Sequence, residues 1–211
     1  MFGLIAGALS ALAAGAVAVS KALGVVGLAA QGLKIIGNAV ASVAKTLGII
    51  KPETDVEEIG DRALQAEHQG ILPENFGSYE AWIKEIEGDE WGYDPEKNRE
   101  ISPREKILKG TEVSAAATME KFPDLPIADF FTVTEKNQDF FSIDRMSEIG
   151  KLAQTDQDAF GKVVNYVTGS AKDHTTVNDA VDLLLDIEKT IEPGISDDYA
   201  YDRVASFYTI K

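Results

Sequence analysis

Residues 28–48, LAAQGLKIIGNAVASVAKTLG, have the spacing of an amphipathic α-helix with a wide apolar face. Their polar side chains recur every three or four residues and form one narrow stripe: Gln31, Lys34, Asn38, Ser42 and Lys45. The apolar side chains occupy the opposite side: Leu33, Ile36, Val40, Val43 and Leu47. We therefore predict a helix whose apolar face needs a cover. A bilayer, partner subunits or the chain's own core could supply it.

The segment before this helix is even more apolar. Residues 1–20 carry no ionisable side chain, and Lys21 ends the run. A helix of this length would be about 30 Å long, which matches the hydrocarbon core of a bilayer. Alanine and glycine dominate, so insertion would be marginal. A turn at residues 24–27 would make residues 3–50 a helical hairpin, and one long helix is the alternative. Because the chain lacks a basic start, we predict no cleavable signal peptide.

Small residues recur at intervals of four near the start of the chain, at Gly3, Gly7, Ala11 and Gly15. On a helix they share one side, and such a side allows another helix to approach closely, as in helix pairs within lipid. Any stretch rich in alanine and glycine also produces this spacing by chance. We predict that this side and the apolar face of residues 28–48 contact a membrane or an assembly partner.

The composition inverts after residue 51. The first acidic residue is Glu53, and only four lysines precede it. The 211-residue chain has a net charge of −15, so residues 1–51 carry +4 and residues 52–211 carry −19. We predict two parts, an apolar helical segment over 1–51 and an acidic α-helical domain over 52–211. Pro52 marks the boundary because proline ends the preceding helix.

The acidic part has the pattern of a series of capped helices. Capping-box spacing occurs at Thr54, Ser102, Thr155 and Thr176, each followed three residues later by Glu or Asp. We predict helices near residues 55–69, 79–87, 103–121, 127–137, 143–153, 156–168, 177–191 and 197–208. The clearest core face consists of Val177, Val181, Leu184 and Ile191. Since no window alternates as a strand does, the predicted fold class is all-α.

The residue types give little indication of a catalytic site or a metal site. The chain has no cysteine and two histidines, and it contains no phosphate-binding loop or hydrolase motif. The acidic domain would repel nucleic acid. We predict a non-enzymatic protein without cofactor, metal or small-molecule substrate. One alternative is a calcium-responsive regulator, because oxygen-bearing side chains over residues 94–105 have the spacing of a calcium loop. Arg99 stands where that loop needs glycine.

Two aromatic pairs and a tyrosine cluster are candidate partner-docking residues. Phe130 and Phe131 are echoed ten residues later by Phe140 and Phe141, and Tyr199 and Tyr201 lie near the C-terminus. Aromatic side chains of this kind either fill the core or form an exposed patch that binds a partner. Both alternatives stay open for the two groups.

The apolar segment from Gly3 to Ile50 resembles the hydrophobic hairpin of pore-forming colicins. It is also similar in composition to the glycine-rich stretches of phage tape-measure and ejection proteins. The resemblance implies a structural or membrane-active component of a bacterial or phage-type assembly, associated with a virion or membrane. Its expected partners are protein subunits of an oligomer and possible membrane lipid. The alternative is a pore-forming or membrane-anchored effector that its acidic domain keeps soluble.

Overall fold

The computed structural model describes residues 7, 10, 11, 13–19, 21 and 30–208. Over residues 30–208 the chain forms a 3-10 turn at Pro73–Asn75 and nine α-helices: α1 (Ala30–Thr46), α2 (Val56–His68), α3 (Tyr79–Glu87), α4 (Pro103–Lys121), α5 (Ile127–Lys136), α6 (Ile143–Thr155), α7 (Gln157–Thr168), α8 (His174–Ile191) and α9 (Asp197–Tyr208). Residues 13–19 are helical as well. The fold is all-α, as the sequence predicts.

The helix boundaries follow from side-chain caps. Ser102 forms the predicted capping box of α4: its hydroxyl accepts a hydrogen bond from the Glu105 N–H at 3.3 Å. The Glu105 carboxylate accepts in return from the Ser102 N–H at 3.1 Å. Because Pro103 has no N–H, the start of α4 leaves three N–H groups unpaired within the helix, and those of Ser102 and Glu105 are satisfied in this way.

Three helices begin on an aspartate instead of the predicted threonine. Asp55 caps α2, Asp156 caps α7 and Asp173 caps α8. The predicted caps were Thr54, Thr155 and Thr176. A carboxylate accepts hydrogen bonds as a hydroxyl does and adds negative charge where the helix dipole is positive. The aspartate therefore sets the boundary, and α8 begins at His174, earlier than predicted.

Helix α1 lies inside the helical bundle and packs against α4 and α6. Leu33, Val40 and Val43 have no exposed surface, and Ile36 is also buried. One continuous core runs from Ala16, in the N-terminal segment, to residues of α9. The change of composition at residue 51 therefore does not divide the core.

Helix α4 supplies much of the cover for α1, although it has no amphipathic pattern. Its buried side consists mainly of small and hydroxyl-bearing residues. The hydroxyls of Thr111, Ser114 and Thr118 each donate to the carbonyl four residues earlier, at 2.8 to 2.9 Å. Because these polar groups are satisfied within the helix, they can be buried against apolar neighbours.

The polar stripe of α1 holds the start of α2. Lys34 lies 2.9 Å from the Asp55 carboxylate and 3.2 Å from that of Glu57. The Asn38 side-chain oxygen accepts from the Val56 N–H at 3.2 Å. Burial of Asp55 favours its neutral form, but hydrogen bonds from Lys34 and the Glu58 N–H hold the pKa of Asp55 below its usual value. Ion pairs thus connect α1 to Asp55 and Glu57, two of the acidic residues that follow residue 51.

Candidate functional site

The apolar face of α1, which was predicted to contact a membrane or an assembly partner, is covered by the chain's own helices. Leu33, Ile36, Val40 and Val43 are buried, and Leu47 is half-buried. Contact between this face and a bilayer or another subunit would require α4 and α6 to move away. A bilayer, partner subunits or the chain's own core could have covered this face, and in the structure it is the chain's own core that does.

The small residues near the N-terminus have different surroundings. Gly7 and Ala11 are exposed. Gly15 faces α4, where a Cβ atom on it would lie 2.6 Å from Cε of Met119. Gly3 lies outside the described residues. The predicted contact side is therefore open at Gly7 and Ala11 and closed by the chain itself at Gly15.

A helix that spans a bilayer must be both long and apolar. Across the parts of the chain that the structure describes, no helix combines the length and the hydrophobicity needed to span a bilayer.

Three of the four phenylalanines fill the core, so of the two alternatives the core describes Phe130, Phe131 and Phe141. Phe130 and Phe131 have no exposed surface, and Phe141 is buried. The ring centroids of Phe130 and Phe141 are 6.0 Å apart in an edge-to-face arrangement. Phe140 is half-buried beneath the Arg145 guanidinium, 4.4 Å from its ring centroid. Edge-to-face rings stabilise a core beyond the area that they bury.

The acidic loop over residues 94–105 uses its side chains locally. The Asp94 carboxylate accepts from the Glu96 N–H at 3.1 Å, and Asn98 donates to the Asp61 carbonyl at 2.9 Å. Glu105 belongs to the capping box of α4. Within the described ranges, no three acidic or histidine side chains lie together as ligands for a metal ion. The geometry gives no support to the calcium-responsive alternative.

A buried polar network joins α2, α4 and the loop between α3 and α4. Asp61 lies 3.1 Å from the Lys106 ammonium and accepts a hydrogen bond from the Tyr93 hydroxyl at 2.8 Å. Gln65 exchanges hydrogen bonds with the backbone of Asp94 at 2.7 and 2.8 Å. Burial, together with the bond to Asp61, raises the pKa of the Tyr93 phenol. The groups bind one another, which is a structural role.

A second buried charge cluster joins the last helices. Glu188 of α8 has no exposed surface, and its carboxylate accepts from Arg145 of α6 and from Arg203 of α9, the latter at 3.2 Å. Arg203 also pairs with Glu192 at 2.8 Å. Since both carboxylate oxygens have a cationic donor, the buried charge is compensated. This cluster fixes α9 onto α8 and α6.

An open groove of about 560 Å³ runs between α8 and α9. Its apolar wall consists of Tyr166, Val177, Val181, Leu185, Tyr201 and Ala205. Tyr201 is 56% exposed, and Tyr199 is 54% exposed with the Arg203 guanidinium 4.7 Å from its ring centroid. The two tyrosines predicted as docking residues are thus on the surface, and Tyr201 borders the groove.

Two residues that line this groove, Val177 and Val181, were predicted to belong to the core face of α8. Val177 and Val181 are only half-buried, whereas the side of α8 that is buried carries Ala180, Leu184 and Ile187. The signal for an open groove was the width of the apolar surface: hydrophobic residues cover two adjacent sides of α8. A helix with so wide a stripe needs more neighbours than a narrow one does.

Aspartates lie around the groove. Asp182 of α8 lines the groove, and Asp198 at the start of α9 lines an adjoining cavity that shares Leu185 and Tyr201 with it. Both aspartates are exposed, and neither forms an ion pair with a described lysine or arginine. Asp197 is paired with Lys189 at 2.8 Å. The groove therefore combines an apolar wall with a negatively charged rim.

No protein-family model matches the chain, and the comparisons with curated proteins and with solved structures gave no match either.

Proposed function

We propose that the protein is a non-enzymatic structural component of a larger assembly of bacterial or phage type. Its helices α1–α9, here called the helical body, would carry the apolar N-terminal segment to partner subunits or to a bilayer. The observation behind this proposal is the surface of that segment. Its exposed described residues before Lys21 are small and uncharged: Gly7, Ser10, Ala11, Ala14 and Ala18. A helix surface that faces water usually carries charges.

Because α1 is buried, we assign the contact with partner subunits or a bilayer to the first residues of the chain. Because α4 and α6 cover α1, the helical body needs no partner to shield that helix. Ala16 and Val19 are buried, which attaches the N-terminal segment to the body. The body supplies a negative surface that favours solubility. Residues 1–20 contain no charged side chain, so this is the segment that we expect a partner subunit or a bilayer to cover.

Self-association tests the proposal. Leu4→Glu with Leu9→Glu places two charges in the uncharged run, and sedimentation velocity then measures the oligomeric state of the full chain. We expect concentration-dependent assembly of the unmodified protein and its loss in this variant. Gln154→Glu with Gln157→Glu is the matched control, because both glutamines are exposed on the helical body. It should assemble as the unmodified protein does.

Vesicle flotation separates a bilayer from a protein partner. Vesicles of zwitterionic phosphatidylcholine should carry the full chain upward if the segment meets lipid, and the Leu4→Glu, Leu9→Glu variant should stay at the bottom. Assembly without flotation would assign the segment to protein subunits. A monomer that neither assembles nor floats would contradict the proposed function.

The second candidate is a pore-forming or membrane-anchored effector, and the enclosure of α1 favours it. A soluble effector must hide an apolar helix until it meets a membrane, and α1 is hidden in this way. Thr46 of α1 lies against Gly150 of α6, where a Cβ on Gly150 would lie 3.0 Å from Cβ of Thr46. A disulfide between these positions needs the two helices to move apart by about 0.5 Å, because its Cβ atoms are usually about 3.5–4.5 Å apart. The natural chain contains no cysteine.

Dye release from vesicles tests this candidate. A pore former should release dye, the Thr46→Cys, Gly150→Cys variant should not while oxidised, and reduction should restore release. Release by the oxidised variant, or no release by the unmodified chain, would exclude an effector that acts through α1.

A further inference from the structure

We propose that the groove between α8 and α9 is a docking site for a basic amphipathic helix of another protein. The described residues that line this groove lie between Tyr166 and Ala205, so the inference goes beyond the function proposed above for the N-terminal segment. Leu185 and Tyr201 line both this groove and an adjoining cavity that also contains Asp198. The two helices pack against each other beside the groove, and Lys189 of α8 pairs with Asp197 of α9 at 2.8 Å.

The shape of the groove suits a helix. Val177, Val181 and Leu185 stand one turn apart on α8, and together they extend over about 12 Å of the helix axis. Tyr201 and Ala205 face them from α9. Two helices side by side present a furrow into which the side chains of a third helix can pack. The groove is open along one side, whereas small-molecule pockets enclose roughly 70–90% of their ligand.

The charge of the rim selects the partner. Asp182 and Asp198 are exposed without a cationic partner among the described residues, and the one lysine beside the groove, Lys189, is already paired with Asp197. A docked helix with lysine or arginine flanking its apolar face would match this rim. Complementary charge of this kind steers association and fixes the orientation of the partner.

A second copy of the chain does not fit the rim. The only charged side chain in residues 1–29 is Lys21, which cannot match two aspartates spread along the groove. The remainder of a second copy is strongly acidic, so its surface would be repelled. The occupant is therefore a different protein that carries a basic amphipathic helix.

The test uses a fluorescent synthetic peptide of about five helical turns, with leucine on one face and lysine on the other. Fluorescence anisotropy with the full chain should show binding. A peptide with glutamate in place of lysine, and a scrambled peptide with the same composition but no helical period, should not bind. The scrambled peptide separates docking in the groove from general attraction to an acidic protein.

Charge variants locate the site. Asp182→Asn with Asp198→Asn should weaken peptide binding about fivefold, as expected for the loss of two exposed ion pairs. Glu90→Gln with Asp124→Asn removes the same charge from two exposed residues outside the groove and should leave binding unchanged. Tyr201→Ala should weaken binding more than tenfold, on the scale of an aromatic interface residue. Because Tyr201 is largely exposed, this variant should keep its helical circular dichroism.

Three results would overturn the proposal. The first is no binding of the leucine–lysine peptide. The second is equal binding of the scrambled peptide, or equal weakening by the variant with Glu90→Gln and Asp124→Asn, since either means non-specific attraction. The third is that Tyr201→Ala abolishes self-association of the chain and leaves peptide binding intact, which would assign the groove to a second copy.

Discussion

Gly60 of α2 and Gly110 of α4 meet backbone to backbone where the two helices cross. A Cβ atom on Gly60 would lie 2.7 Å from the Gly110 nitrogen and would overlap the carbonyl oxygen of Lys106. A Cβ on Gly110 would overlap the carbonyl oxygen of Val56 in the same way. The two helices therefore approach more closely than any side chain at these positions permits.

Gly60→Ala should destabilise the protein by about 2 kcal/mol or more, because the clash with a backbone carbonyl outweighs the better helix propensity of alanine. Chemical denaturation followed by circular dichroism measures the effect. Gly161→Ala is the matched control within α7, since its Cβ would make ordinary contacts of 3.5 and 3.9 Å with Leu125. We expect the control to be neutral or stabilising by up to about 1 kcal/mol. Equal effects of the two substitutions would contradict the close crossing.

Leu33→Ala should lower the free energy of unfolding by about 2–5 kcal/mol, because Leu33 is fully buried against the chain's own helices. Ile35→Ala on the same helix should change it by no more than about 0.5 kcal/mol, since Ile35 is 53% exposed. Denaturant titration of both variants gives the comparison. If α1 did not belong to the core, the loss at Leu33 would be as small as that at Ile35.

Arg145→Met should cost about 3–5 kcal/mol, because it leaves the buried Glu188 carboxylate without its main partner. Arg203→Met should cost about 1 kcal/mol or less, since that side chain is partly exposed and Arg145 still compensates Glu188. The double variant Arg145→Met, Glu188→Leu should recover most of the loss, because an apolar pair replaces the buried charges. Thermal unfolding of these variants and of Glu188→Leu alone completes the thermodynamic cycle, and additive losses for Arg145→Met and Glu188→Leu would refute the coupling.

Glu135→Gln should stabilise the protein at about pH 7 and have no effect in strong acid. Burial raises the pKa of the Glu135 carboxyl above its usual 4.5. The folded state therefore holds this proton more tightly than the unfolded state does, and stability falls as the pH rises from 4.5 through the raised pKa. Glutamine removes that loss.

The measurement for Glu135 is the unfolding free energy of both proteins across this pH range. Glu100→Gln, at an exposed position of the loop before α4, provides the control and should show no comparable gain. A stability difference that persists unchanged into acid would mean that the ionisation of Glu135 is not its cause.

The helices could be predicted from the sequence because caps and apolar periodicity are local signals. Ser102 and Pro103 define the start of α4, and the structure agrees. Where a threonine and an aspartate compete as N-cap, spacing alone does not decide between them. At Thr54 and Asp55 the hydrogen bonds from Glu57 and Glu58 go to the aspartate. Such errors are confined to a few residues at a helix end.

The cover of α1 could not be predicted because α4 does not look like a buried helix. Its interior residues include Thr111, Ser114 and Thr118, which average hydropathy counts as polar. Their hydroxyls donate to carbonyls of their own helix, so they behave in the core as small apolar groups do. The groove could not be predicted either. Periodicity identifies the apolar sides of α8, but it does not show which of these sides another helix covers.

The bonds formed by the lysines that precede the first acid bear on any encounter with lipid. Lys34 is neutralised by Asp55 and Glu57, Lys45 donates to the Pro52 carbonyl, and Lys51 donates to the Glu87 carbonyl. Lys21 is exposed, and the remaining surface is acidic. Vesicles rich in phosphatidylserine should therefore repel this molecule. Binding to a neutral bilayer would have to come from hydrophobic contact alone, and its strength should not change when salt is added.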